Sequence, residues 1–290
     1  MHDAATWAIR PEYALFVADT QRAADVPSTY SMRRALPATG ERRIRLGNSV
    51  VAVLPFHGVA VQRASELGAA LGFVSVDRFA RSFRAALADG SVSGIVIDID
   101  SPGGGLQAIA ELADEIYQAR GGKPVAAVAN SIAAGAAYWI ASAASNVYIT
   151  PGGEVGSIGV FATHQDYSKA LENEGVKTTL ISAGRYKTEG SPFAPLSPSA
   201  RQHLQARVND DYDRFARAVS RNRGVDVVRV RNGMGQGRIL GAQAATDEMM
   251  VDGVATLDEV VSKLAQRVVP VRPKLFAIGL LCRPNAEAPF

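Results

Sequence analysis

Cysteine is almost absent from this chain of 290 residues, in which the one example is Cys282. A single cysteine excludes both an intrachain disulfide framework and a cysteine-based metal site. The four histidines, at positions 2, 57, 164 and 203, show no HExxH or paired spacing. We therefore expect no metal site and no cofactor.

An excess of charge and a long apolar run are also missing. The chain has 31 Lys and Arg against 28 Asp and Glu, without a basic block, so we expect no nucleic-acid partner. The N-terminus carries acids and no apolar run, so it does not resemble a signal peptide. The longest apolar stretch, residues 126–144, is Ala-rich and interrupted by polar residues. It predicts a buried strand and helix rather than a membrane span.

What is present is an alternation of strand and helix patterns. Hydrophobic residues make up 47% and charged residues 20%, a composition typical of globular proteins. β-branched runs alternate with segments of helical spacing, which predicts an α/β fold with mostly parallel pairing. We expect an N-terminal arm over residues 1–47, one domain over 48–269 and a tail over 270–290. The predicted strands are Ser49–Gly58, Gly94–Asp100, Pro124–Ala129, Asn146–Thr150 and Val176–Ala183.

The segment SPGGG, residues 101–105, ends one of these strands and precedes a helix pattern. Three glycines allow the backbone to approach a ligand closely and to present N–H groups to a phosphate or an oxyanion. A tight strand-to-helix turn explains them equally well. The spacing is neither GxGxxG nor GxxxxGK[ST], which disfavours nucleotide binding.

Two further residues stand in Gly-rich segments. Lys187 lies in GRYKTEGSPF and Ser157 in EVGSIGV. Taken alone, each is an ordinary loop residue, because a catalytic lysine would need burial to depress its pKa.

The order of these motifs is far more specific than any one of them. SPGG, an Ala-rich strand and helix ending in AYWIASAA, TPGGEVGSIGV, GRYKTEGSP and GQGRILGAQA follow one another. This order resembles the signal peptide peptidase A family of serine peptidases over roughly Val50–Leu264. WAIRPE and GVFATHQDYSKALENEGVKTTLISAGRYKTEGSPFAPLS resemble its phage branch, the head-maturation proteases also called minor capsid protein C.

The resemblance implies a fold and a mechanism. The fold would be the spiral of repeated ββα units shared with Clp protease and crotonase. A Ser/Lys dyad would cleave the substrate, with Lys187 as base and Ser157 holding its amine. The oxyanion would be bound by the N–H groups of Gly103 and of Ala136, the residue after the nucleophile.

The resemblance also implies partners and a location. The protein substrate would be a scaffold or portal protein, and the chain would form a homo-oligomer. It would act in the cytoplasm of the bacterial host or inside the viral procapsid.

The departure from the family pattern lies at the nucleophile, because the serine is replaced by Gly135 in SIAAGAAYWIA. Ser131 is the nearest substitute, although a hydroxyl that caps the helix start explains it better. The chain is therefore either a serine endopeptidase of capsid maturation or a catalytically silent relative in procapsid assembly. A crotonase-type acyl-CoA enzyme ranks lower, because no clear carboxylate pair supplies its acid and base.

Overall fold

The computed structural model describes residues 6–9 and 40–268, which form a mixed α/β fold with two sheets. Its strands are β1 (Thr6–Ile9), β2 (Arg42–Leu46), β3 (Ser49–His57), β4 (Val59–Val61), β5 (Phe73–Ser75), β6 (Gly94–Ser101), β7 (Gly103–Gly105), β8 (Val125–Ala134), β9 (Asn146–Ile149), β10 (Glu154–Gly156), β11 (Phe161–Ala162), β12 (Ile239–Gly241) and β13 (Gly253–Val254). Its helices are α1 (Glu66–Ala70), α2 (Val76–Ala88), α3 (Ile109–Ala119), α4 (Ala136–Ser142), α5 (Ser168–Asn173), α6 (Pro198–Arg223), α7 (Val227–Asn232), α8 (Ala242–Asp247) and α9 (Leu257–Val268).

The larger sheet has the order β12-β10-β8-β6-β3-β2, and β9 joins it through β8. Strands β3, β6, β8, β9 and β10 pair in parallel, whereas β2 and β12 pair antiparallel at the two edges. The predicted α/β class with mostly parallel pairing is therefore confirmed for this sheet.

Both faces of this sheet are covered, which explains the continuous apolar runs of its central strands. On one face, Val51, Val96 and Val128 pack against Val260 and Leu264 of α9. On the other face, the side chains that alternate with these pack against α2, α3 and α4 in the main core.

The smaller sheet has the order β11-β1-β7-β4-β5. The SPGGG segment supplies its central strand β7, and α3 begins only at Ile109. The three glycines therefore do not form the N-terminus of a helix. The sequence pattern missed this sheet because three glycines carry no strand propensity.

Parts of the predicted arm belong to the fold. Strand β2 pairs with β3 through a hairpin, so a boundary after residue 47 falls inside that hairpin. Strand β1 is buried in the smaller sheet. Residues 10–39 and the predicted tail, residues 270–290, lie outside the described residues.

The predicted strand Val176–Ala183 is wrong for the single chain. This segment has no strand conformation, and all eight residues are exposed, with Ile181 97% exposed. Its β-branched residues favour a strand, but no strand within residues 6–9 and 40–268 pairs with them.

Among the helices of the described ranges, none combines the length and apolarity that crossing a lipid bilayer requires.

Candidate active site

Gly135 forms the turn that connects β8 to α4. Its φ is 54° and its ψ is −122°, a backbone conformation that glycine adopts far more readily than other residues. The Gly135 N–H donates to the Gly156 carbonyl at 2.9 Å, and its own carbonyl accepts from the Trp139 N–H at 3.0 Å. A strained strand-to-helix turn of this kind exposes the nucleophile in many hydrolases. Here the residue at the turn has no side chain.

Gly103 lies beside Gly135, and both face the same atom of β1. A Cβ on Gly135 would lie 2.2 Å from the Ala8 carbonyl oxygen, and a Cβ on Gly103 would lie 2.2 Å from that oxygen as well. The Gly103 Cβ would also lie 2.8 Å from the Ala134 carbonyl oxygen. The structure thus brings together Gly103 and the turn that precedes Ala136. The Gly103 N–H donates to the Ser101 hydroxyl at 3.2 Å.

The glycines of β7 are also required by packing. A Cβ on Gly104 would lie 2.0 Å from the Ala60 carbonyl oxygen of β4. Strand β7 fits between β1 and β4 because its residues lack side chains. Packing within the sheet thus explains these glycines in place of a strand-to-helix turn, and their approach to a ligand stays a prediction.

Ser157 directly follows Gly156, whose carbonyl accepts a hydrogen bond from the Gly135 N–H. It is buried, its φ is 54°, and its N–H donates to the Arg238 carbonyl at 2.8 Å. The structure therefore places Ser157 next to the turn, and its role toward a lysine stays a prediction.

Lys187 is exposed, in a turn between α5 and α6. The burial that a catalytic role would require is not met in the single chain, because the loop that carries Lys187 is itself exposed. The carboxylate of nearby Glu189 accepts a hydrogen bond from the Ser199 hydroxyl at 2.6 Å. Lys187 therefore lacks the shielded environment that a neutral catalytic amine requires.

Ser131 neither caps α4 nor lies at the turn. It is exposed, has a φ of 111°, and lies in β8 where the pairing with β6 is irregular. Helix α4 begins at Ala136 without a side-chain cap, so the capping explanation of Ser131 is wrong. Burial raises the pKa of the nearby Asp100 carboxyl, and the Ser131 hydroxyl acts in the opposite direction.

A buried carboxylate beside Ser131 escaped the sequence analysis. Asp98 is 4% exposed, and its carboxylate accepts from the Asn130 amide at 3.0 Å. His57 Nε2 lies 3.3 Å and Arg42 lies 3.7 Å from its other oxygen. Burial raises the pKa of the Asp98 carboxyl, but the contacts with His57, Asn130 and Arg42 outweigh it and hold the pKa below its usual range. The pairing of β3 with β6 creates this cluster, which a linear pattern does not reveal.

A cleft continues from β1 along the edge of α6. Its volume is about 310 Å³, and its lining includes Thr6, Leu106, Trp139 and Arg207. The Trp139 side chain stacks on Phe215 with ring centroids 4.7 Å apart. Its indole N–H is buried and has no hydrogen-bond partner among the described residues.

Comparison with known proteins decides the family. Residues 117–270 match the model of peptidase family S49. The chain belongs to peptidase family S49. This result confirms the family inferred from the motif order, whose members are serine peptidases.

Three relatives illustrate the range of this family. The chain is 32% identical over 254 residues to the head-tail preconnector protein GP5 of Enterobacteria phage P21, covering 87% of this chain and 50% of that protein. It is 37% identical over 177 residues to the capsid assembly protease C of Escherichia phage lambda, covering 61% and 40%. It is 28% identical over 196 residues to the chloroplastic serine protease SPPA of Arabidopsis thaliana, covering 67% and 29%. The chain thus spans half or less of each relative's length.

Proposed function

We propose that this chain acts in the assembly of a phage head, where its peptidase-type site binds a protein segment without cleaving it. The names of two relatives, a head-tail preconnector protein and a capsid assembly protease, support the phage setting. The segment would come from a scaffold or portal protein. The chain would meet that segment in the host cytoplasm or inside the procapsid.

The observation that carries this proposal is Gly135 at the turn between β8 and α4. Hydrolysis through a serine requires a hydroxyl at the turn, and glycine supplies none. Other residues of the predicted site adjoin the turn. A Cβ on Gly103 and a Cβ on Gly135 would both meet the Ala8 carbonyl oxygen, and Ser157 follows Gly156, whose carbonyl accepts from the Gly135 N–H. Ser131 does not replace the hydroxyl, since it lies four residues upstream, within β8 and not at the turn.

The second candidate function is an active serine endopeptidase that uses a Ser/Lys dyad. The glycines around the turn favour it, although the single chain lacks both the hydroxyl and a shielded Lys187. If a serine stood at position 135, Gly103 and Ala136 would supply the oxyanion N–H groups and Lys187 would act as base. The fold of the family, a spiral of ββα units, belongs to this same proposal.

Self-association completes the proposed function. The loop that carries Lys187 exposes Val176, Leu180, Ile181, Tyr186 and Phe193. Clustered apolar side chains of this kind are typical of a surface that another chain covers. Contact between copies would shield this loop, which the single chain leaves exposed, and would provide the apolar surroundings that Lys187 needs.

The test is processing of the co-encoded scaffold and portal proteins by purified chain, followed by intact-mass spectrometry. We expect no cleavage by the unmodified chain and cleavage by Gly135→Ser. Gly135→Ala is the matched control, because it adds the same Cβ without a hydroxyl. Lys187→Ala in the Gly135→Ser background should abolish cleavage. Cleavage by the unmodified chain would favour the active endopeptidase instead.

A further inference from the structure

Strand β1 occupies the space directly in front of the candidate active site. Its register with β7 pairs Trp7 with Gly105, Ala8 with Gly104 and Ile9 with Gly103, all antiparallel. Its other edge pairs with β11, where Thr6 faces Ala162. The strand therefore fills a groove whose two walls are main-chain edges.

The Ala8 carbonyl occupies the space that a side chain at position 135 would need. A Cβ on Gly135 would lie 2.2 Å from the Ala8 carbonyl oxygen, 2.6 Å from its carbon and 3.2 Å from the Ile9 nitrogen. The peptide bond between Ala8 and Ile9 thus lies against the position of the nucleophile. Gly103 faces the same carbonyl oxygen from the other wall.

The groove recognises main chain and restricts side-chain size. Main-chain pairing with an exposed strand edge binds extended peptides with little regard to sequence. Ala8 is fully buried, so a larger side chain at that position would displace the neighbours. Ile9 is also buried and packs with Val59. The strand is held by both pairing and apolar contact.

We propose that Thr6–Ile9 is an intramolecular inhibitor strand, which occupies the peptide-binding groove and must leave before another protein segment can enter. The proposal rests on the proposed function, because it takes the groove beside Gly135 to be the binding site. The external ligand is an extended segment with a small residue at the position of Ala8. A tethered strand competes at a high effective concentration, so it weakens binding of every external segment.

A reversible lock tests this proposal on the full chain. Thr6→Cys with Ala162→Cys, in a Cys282→Ser background, places two thiols on directly opposed residues of β1 and β11. Opposed residues in antiparallel strands have Cα separations that permit a disulfide. The probe is a fluorescent peptide with the sequence of residues 4–11, AATWAIRP, and binding is followed by anisotropy. The reduced form of the same variant is the control.

We expect the oxidised variant to bind no probe and reduction to restore the binding of the Cys282→Ser chain. Ile9→Asp, which places a charge where the strand is buried, should bind the probe at least tenfold more tightly than the unmodified chain. A probe with proline in place of the residue equivalent to Ala8 should bind more weakly. Equal binding by oxidised and reduced forms would overturn the proposal, as would failure of the two thiols to form a disulfide.

The same variants separate this proposal from the proposed function. If scaffold protein binds equally to the locked and reduced forms, the inhibitor strand is wrong while scaffold binding stands. If the unmodified chain cleaves scaffold and the lock stops it, the silent function is wrong while the inhibitor strand stands.

Discussion

Replacing Gly135 with alanine should displace β1 from the groove. The new Cβ would lie 2.2 Å from the Ala8 carbonyl oxygen, a separation that no pair of non-bonded atoms adopts. The backbone of residue 135 fixes the position of the Cβ, and the oxygen belongs to the backbone of Ala8, so a rotamer change cannot relieve the contact. Either the turn between β8 and α4 or strand β1 has to move. We expect β1 to move, because it is a short strand of four residues.

The magnitude follows from the backbone of Gly135. A φ of 54° with a ψ of −122° is strained for alanine, at a cost of about 1–3 kcal/mol. Release of β1 has opposing contributions, because lost burial of Ile9 and lost strand pairing are offset by the conformational entropy that the freed residues regain. The strain at position 135 therefore sets the expected fall in the free energy of unfolding, about 1–3 kcal/mol.

Urea unfolding and amide hydrogen exchange measure the two effects separately. Gly135→Ala should lower the unfolding midpoint and abolish the protection of residues 6–9. Gly152→Ala is the matched control, because its Cβ would have no atom within 4 Å, and surface changes of this kind stay within about 0.5 kcal/mol. Unchanged protection of residues 6–9 in Gly135→Ala would refute the assignment of Ala8 to the site.

Two further predictions concern the buried carboxylate Asp98 and the exposed loop around Ile181. Asp98→Asn should lower the free energy of unfolding by about 1–3 kcal/mol at pH 7. Since the pKa of Asp98 is lower in the folded chain, its contribution is present above pH 4 and is lost as the pH falls further, so urea unfolding at pH 3 should show a smaller difference. Light scattering should give a mass above the 30.6 kDa of one chain, and Ile181→Asp should reduce it, whereas a single 30.6 kDa species for the unmodified chain would contradict self-association.

The central sheet could be predicted from sequence because its information is local. The runs around Val51, Val96 and Val128 are β-branched and buried on both faces, and helical spacing separates them. Such segments are predicted as strands from their own residues, without knowledge of the strands with which they pair.

The smaller sheet could not be predicted, because its information is non-local. Thr6–Ile9 pairs with Gly103–Gly105 and with Phe161–Ala162, about 100 and 150 residues away along the chain. Neither the short apolar stretch TWAI nor three glycines predicts a strand alone. The segment Val176–Ala183 shows the converse, since its composition favours a strand and the part of the chain that the structure describes provides no partner strand.

The candidate site was predictable in part. Motif order identified Gly103, Gly135 and Ser157, and the structure places them at one turn and its neighbours. Motif order did not predict that β1 covers this turn, nor that Ser131 lies within β8 rather than at the start of the helix. Both depend on strand register, which a linear motif does not encode.

The most direct test of the central claim is reaction of the full chain with a fluorophosphonate, which modifies activated serines, followed by peptide mapping. The claim is that no hydroxyl near Gly135 is activated. The unmodified chain should therefore carry no adduct, as urea-unfolded chain should not, whereas Gly135→Ser should be labelled at position 135. An adduct on Ser131 or Ser157 of the unmodified chain would contradict the claim and identify the nucleophile.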